Sequence, residues 1–159
     1  MGRMIGIDLG DRRVGISVSD DAGMFAHPLA TIEFAGWDQL IEKVACLMEK
    51  HNADLAVVGV PRNMDGSFGD RSRAALRFSR KLASRTGKTV VTWDERLTTS
   101  QADKEMIALD KSRRKRRLKI DQAAAVLILE GYMQSLRTGE KVCSGEMKDD
   151  EPPETPLKG

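Results

Sequence analysis

Three carboxylates stand where separate elements of a chain could bring them to one point. Asp8 closes the run Met4-Ile5-Gly6-Ile7-Asp8-Leu9-Gly10, Glu95 follows the apolar run ending at Trp93 and Asp94, and Asp121 opens Asp121-Gln122-Ala123-Ala124-Ala125-Val126-Leu127-Ile128-Leu129. Oxygen ligands from separate elements suit Mg²⁺ or Mn²⁺, hard cations that take carboxylates and keep positions for water and phosphate. Two such ions about 4 Å apart activate an attacking water and stabilise the departing oxygen in phosphodiester hydrolysis. Each acid also has a local explanation: Asp8 ordering a turn, Glu95 pairing with Arg96, Asp121 capping the last helix through free amides. Asp8 with the glycine after it would also suit a phosphate. Their joint placement at one sheet edge favours metal binding, and without a cation such a cluster repels itself and opposes folding.

Phosphate needs cations beside it, and the chain supplies them unevenly. The net charge is only +2, yet residues 111–119, Lys-Ser-Arg-Arg-Lys-Arg-Arg-Leu-Lys, hold seven positive charges, including Arg113, Arg114, Arg116 and Arg117. A dense basic segment on a near-neutral body points to a polyanion, although such a run also suits a solvated loop. Arg73, Arg77 and Arg80 share a helical face and offer a second basic stripe. Asn63 and Ser67, in the loop after a strand, could donate to phosphates or stabilise turns. Arg13 in the first hairpin, Arg96 behind Glu95, and Thr98 complete the candidate substrate contacts. Thr98 also has capping-box spacing with Gln101.

The elements that must position these residues read as a mixed α/β domain. Val14, Ile16 and Val18 alternate with Gly15, Ser17 and Ser19, a second strand with one buried face joined to the first through residues 10–13. Ala30, Ile32 and Phe34 alternate with Leu29, Thr31 and Glu33, predicting a third strand at the sheet's edge. Leu40, Val44, Leu47 and Met48 predict a surface helix over 37–52. Residues 55–60, almost continuously apolar, read as a central strand covered on both faces and ended by Pro61. A helix over 70–86, a strand over 88–93, a helix over 99–109 and a final helix from near Ile120 follow. Ala124 and Ala125 lie on Asp121's side of that last helix and let it approach the sheet closely. Residues 138–159, with three prolines and six acids, are expected to form a flexible tail behind a domain of residues 1–137.

Composition excludes several classes. A chain of 159 residues that is 40% hydrophobic suits one domain with a proper core. No apolar stretch approaches the roughly 20 residues that span a bilayer. The start has no basic leader and apolar core, so a cytoplasmic protein is expected. Cys46 and Cys143 lack metal-ligand spacing and read as reduced thiols. His27 and His51 have no partners at ligand spacing, and at 4% aromatic content, Trp37 and Trp93 read as packing residues rather than base-stacking platforms.

Taken in order, Gly6-Ile7-Asp8-Leu9-Gly10, Arg13-Val14-Gly15-Ile16-Ser17-Val18-Ser19-Asp20, Val58-Gly59-Val60-Pro61-Arg62-Asn63-Met64-Asp65-Gly66-Ser67, Asp94-Glu95-Arg96-Leu97-Thr98-Thr99 and Asp121-Gln122-Ala123-Ala124-Ala125 resemble the YqgF (RuvX) family over residues 3–136. The resemblance implies an RNase H-like fold: a five-stranded mixed sheet, three antiparallel strands then parallel ones, flanked by helices. It implies a nuclease, either maturing the 5′ end of pre-16S ribosomal RNA or resolving Holliday junctions in branched DNA, with Asp8, Glu95 and Asp121 as its carboxylates. A monomer or a homodimer fits, the latter suiting symmetric junction cleavage. Arg62 departs from the apolar residue the family often has, and the acidic tail has no counterpart in the family core. RNase H-like nucleases often recruit a fourth acid; Asp11, Asp20 and Asp94 lie nearby, and each reads as structural. Two other classes compete: a non-catalytic ribosome-assembly or nucleic-acid-binding module, and an actin-like ATPase or sugar kinase, which shares Gly-x-Asp-x-Gly but encloses nucleotide between two large domains.

Overall fold

The computed structural model describes residues 2–61, 69–95 and 113–139, the side chains of 113–121 excepted. Five strands, β1 (Arg3–Leu9), β2 (Arg13–Ser19), β3 (Ala26–Glu33), β4 (Ala53–Val60) and β5 (Thr89–Asp94), form one sheet in the order β3-β2-β1-β4-β5. β1 pairs antiparallel with β2 and parallel with β4; β2–β3 is antiparallel and β4–β5 parallel. The hairpins close locally. The parallel pairs need crossovers, and α1 (Trp37–Lys50) and α2 (Asp70–Thr86) lie in them. The mixed five-stranded sheet is as expected.

Alternation along the strands divides the core into two layers. Ile5, Ile7, Val14, Ile16, Ala56 and Val58 face α1 and α2, meeting Leu40, Val44, Met48, Phe78 and Leu82. On the opposite face, Val57 and Trp93 meet Ile128, Leu129, Tyr132 and Met133 of α3 (Arg113–Thr138). Each fully buried Leu, Ile or Phe contributes about 1.5–3 kcal/mol. Trp37 packs edge-on to Phe34 at 5.0 Å and Trp93 packs edge-on to Tyr132 at 6.4 Å, so both tryptophans serve packing.

Four expectations need correction. β2 was expected to bury one face, but Ser17 and Ser19 are 0% and 2% exposed because α3 covers the other. β4 begins at Ala53 rather than 55, since Ala53 pairs with Arg3 across a register shift. β3 begins earlier than its alternation suggests, at Ala26, which pairs with Ser19. α3 begins at Arg113 rather than near Ile120, and the basic run from 113 onward is helical rather than a loop. Arg and Lys have helix propensities close to that of Leu, whereas apolar periodicity begins only at Ile120. Asp121 therefore lies inside a helix, where the backbone amides have intrahelical partners, and capping no longer accounts for it.

The expected helix over 99–109 lies outside the described residues, as does the tail from residue 140. Cys46 is a free, exposed thiol. Among the described residues, no helix is long and apolar enough to cross a membrane.

Candidate active site

Two strand registers and one helix direction locate the acids. Side chains alternate along β1, so Asp8 shares Gly6's face, opposite Ile5 and Ile7. Asp8 pairs across β2 with Gly15, and Gly6 with Ser17. In the parallel pairing Ile7 aligns with Val58, which puts Asp8 and Gly59 on one level; Gly59 in turn aligns with Trp93 in β5. That face is the one α3 covers.

Glu95 follows the last residue of β5, yet its carboxylate reaches back over the neighbouring strand. A Cβ placed on Gly59 would lie 2.8 Å from Glu95 Oε1 and 2.5 Å from Ile128 Cδ1. The missing side chain at Gly59 thus makes a notch beside Asp8, which the Glu95 carboxylate occupies. Glycine inside a strand commonly marks such a close approach.

Asp121 arrives on α3. A Cβ on Gly6 would lie 2.6 Å from the Ala125 carbonyl oxygen, so the helix rests on the β1 backbone there. At its other end Arg137 Nη1 donates to the Met24 carbonyl at 3.1 Å, in the turn beyond β2, beside the start of β1. α3 therefore runs antiparallel to β1, its amino-terminal part toward Asp8. Asp8 lies two residues past Gly6, about 6.8 Å of strand, and Asp121 four residues before Ala125, about 6 Å of helix. The Asp121 backbone is thus level with Asp8, on the helix face shared with Ala125. Among the described residues no three acids, histidines or cysteines form a metal cluster; the Asp121 side chain lies outside that set. The donor set is hard carboxylate oxygen, and the notch brings one donor toward the row of another, which fits a divalent cation.

The surroundings are tied at the same edge. The hairpin turn closes with the Gly10 amide donating to the Arg13 carbonyl at 3.0 Å, leaving Arg13 at the start of β2. Asp11 pairs with Arg71 at 3.5 Å, linking that turn to the start of α2, and the Ser72 hydroxyl donates to the Pro61 carbonyl at the end of β4. Asp20 stands at the far end of the sheet, where it accepts from the Met24 amide at 2.8 Å, the structural role expected of it. Arg73, Arg77 and Arg80 lie on α2, across the sheet from α3. Arg113, Arg114, Arg116 and Arg117 occupy the first turns of α3, leading into Asp121. Asn63, Ser67, Arg96 and Thr98 fall outside the described residues. Sequence reading passed over Gly6, Ser17 and Gly59; glycine or serine within otherwise apolar strands was the available signal.

Comparison with known proteins identifies the family and the fold. The profile of a family described as "RuvX: Holliday junction resolvase" matches residues 2–135. A Bacillus subtilis protein named "Putative pre-16S rRNA nuclease" is 41% identical over 136 residues, covering 84% of this chain and 99% of its own. A protein of the same name from Carboxydothermus hydrogenoformans is 40% identical over 131 residues, covering 82% and 95%. Among solved structures, Thermus thermophilus RuvC in complex with a Holliday junction substrate superposes with a TM-score of 0.64 at 14% identity, covering 89% of this chain and 99% of that one. RuvC from the same organism, in another structure, gives 0.60 at 13%, covering 86% and 96%. These two share the RNase H-like fold of this chain.

Proposed function

The chain belongs to the RuvX family, and from that premise we propose that it is a divalent-metal-dependent endonuclease acting on structured nucleic acid, with the 5′ end of pre-16S rRNA as its substrate. The observation that carries this reading is the Glu95 carboxylate seated in the Gly59 notch, on the level of Asp8. The antiparallel run of α3, which brings the Asp121 backbone to that level, supports it. Asp8, Glu95 and Asp121 would hold Mg²⁺ or Mn²⁺, as one ion or a pair, which supplies Lewis-acid polarisation of the phosphate and a more acidic water.

The rest is the work of the chain. Three carboxylates alone repel a polyanion; Arg13, Arg96 and the basic start of α3 would offset that repulsion by neutralising backbone phosphates. Asn63, Ser67 and Thr98 donate neutral hydrogen bonds that position phosphate without reading bases. Trp93 and the apolar face of α3 form the core layer on the same face of the sheet.

Asp8→Asn should abolish Mn²⁺-dependent cleavage of a pre-16S 5′ precursor, with an unchanged circular dichroism spectrum. Undiminished cleavage rejects the site. A four-way DNA junction assayed in parallel identifies a resolvase if it alone is cut. RNA binding that survives chelation, with no cleavage of either substrate, identifies a non-catalytic module.

A further inference from the structure

Among the described residues, α3 meets the sheet largely through apolar side chains, with a buried hydrogen bond near its middle. Ser17, fully buried in β2, donates its hydroxyl to the Ala125 carbonyl at 2.8 Å. That carbonyl lies inside a helix and has an intrahelical partner as well. The bond is therefore not needed to complete the helix. Its effect is on where the helix sits. Gly6 stands opposite Ser17 across the β1–β2 pair, and its lack of a side chain lets the Ala125 carbonyl descend within reach of the hydroxyl. One residue past Asp121, Gln122 Nε2 donates to Thr31 Oγ1 at 3.0 Å, a second tether, to β3.

We propose that Ser17 is a positioning residue: it sets the axial register of α3 on β1 and β2, and so holds Asp121 level with Asp8. The proposal rests on the nuclease reading above. Apolar contacts tolerate sliding, whereas a buried hydrogen bond fixes one register, because breaking it strands a polar group. A slip of one residue along a helix shifts the carboxylate by about 1.5 Å and turns it by about 100°. Groups that orient metal ligands typically affect metal affinity or activity by 10-fold to 100-fold when removed.

The test compares Ser17→Ala, Ser17→Cys, Asp121→Asn and the Ser17→Ala/Asp121→Asn double variant by calorimetric titration with Mn²⁺ and by cleavage across Mn²⁺ concentrations. Ser17→Ala should weaken Mn²⁺ binding roughly 10-fold to 100-fold and raise the Mn²⁺ concentration for half-maximal cleavage in step, with kcat largely restored at saturation. Ser17→Cys, nearly isosteric and a weak donor, should fall between it and wild type and decides the matter if Ser17→Ala does not fold. In the Asp121→Asn background Ser17→Ala should change nothing further. A lowered melting temperature with unchanged Mn²⁺ affinity makes Ser17 merely structural and overturns the proposal, as does an additive effect in the double variant. If Asp121→Asn itself leaves Mn²⁺ binding and cleavage intact, the site assignment fails and the proposal falls with it, an outcome separate from failure of Ser17 alone.

Discussion

At the scale of single residues, the candidate site depends as much on what is missing as on the acids. Gly59→Ala would drive a methyl into Glu95 Oε1 and Ile128 Cδ1, at 2.8 and 2.5 Å. Both atoms end flexible side chains and can swing aside, so the variant should fold with little loss of stability. It should nevertheless bind Mn²⁺ more weakly than wild type in calorimetric titration, because the displaced carboxylate is a proposed ligand. Asp8 and Glu95 were legible because a carboxylate ending an apolar run is conspicuous. Asp121 was legible as an acid but misplaced as a helix opener, since the preceding turns of α3 carry charge rather than apolar periodicity. Gly59 was not, because a glycine in an apolar strand does not show what lies over it, and Ser17 was not, because β2, alternating Val and Ile with Gly and Ser, reads as having one wet face. Only the docking of α3, a contact distant in sequence, makes both faces dry.

At the scale of elements, the helices are fastened differently on the two sides of the sheet. α3 is held by buried contacts and the Ser17 bond. α1 and α2 add an exposed pair, with Arg85 donating to Glu42 at 2.6 and 2.8 Å. The guanidinium holds the Glu42 carboxyl below its ordinary value of 4.5. The folded state therefore binds the Glu42 proton less readily than the unfolded chain, so this contribution is complete above about pH 4.5 and is lost as pH falls below it. Glu42→Gln should melt slightly below wild type at pH 7, and the two curves should converge in melts taken toward pH 3. Both side chains are more than half exposed, so the difference is small and shrinks with salt. The strands and α2 were legible from period and punctuation to within a few residues. The start of α3 was not, because propensity without an apolar face leaves no periodic trace.

At the scale of the whole molecule, charge is sorted along α3. Its first turns hold Arg113, Arg114, Arg116 and Arg117, while Ala125, Ile128, Leu129 and Met133 are buried further along. Replacing the four arginines with Gln should weaken RNA binding across sequences and flatten the plot of log affinity against log salt by roughly 0.7–0.9 for each phosphate no longer neutralised. Divalent cation should raise the melting temperature of wild type by favouring the folded state, and Asp8→Asn should lose most of that response in parallel scanning calorimetry. An equal response in both proteins argues against a site at Asp8. The sheet order adds a consequence for synthesis. β1 is made first but lies at the centre of the sheet, and its partner β4, the Glu95 turn and α3 emerge from the ribosome only later. At about 5–20 residues per second, roughly 6 to 23 s separate the appearance of Asp8 from that of Asp121. On the proposed assignment of Asp8 and Asp121, a nascent chain would be harmless to the RNA of the machine making it until nearly all of the domain has been translated.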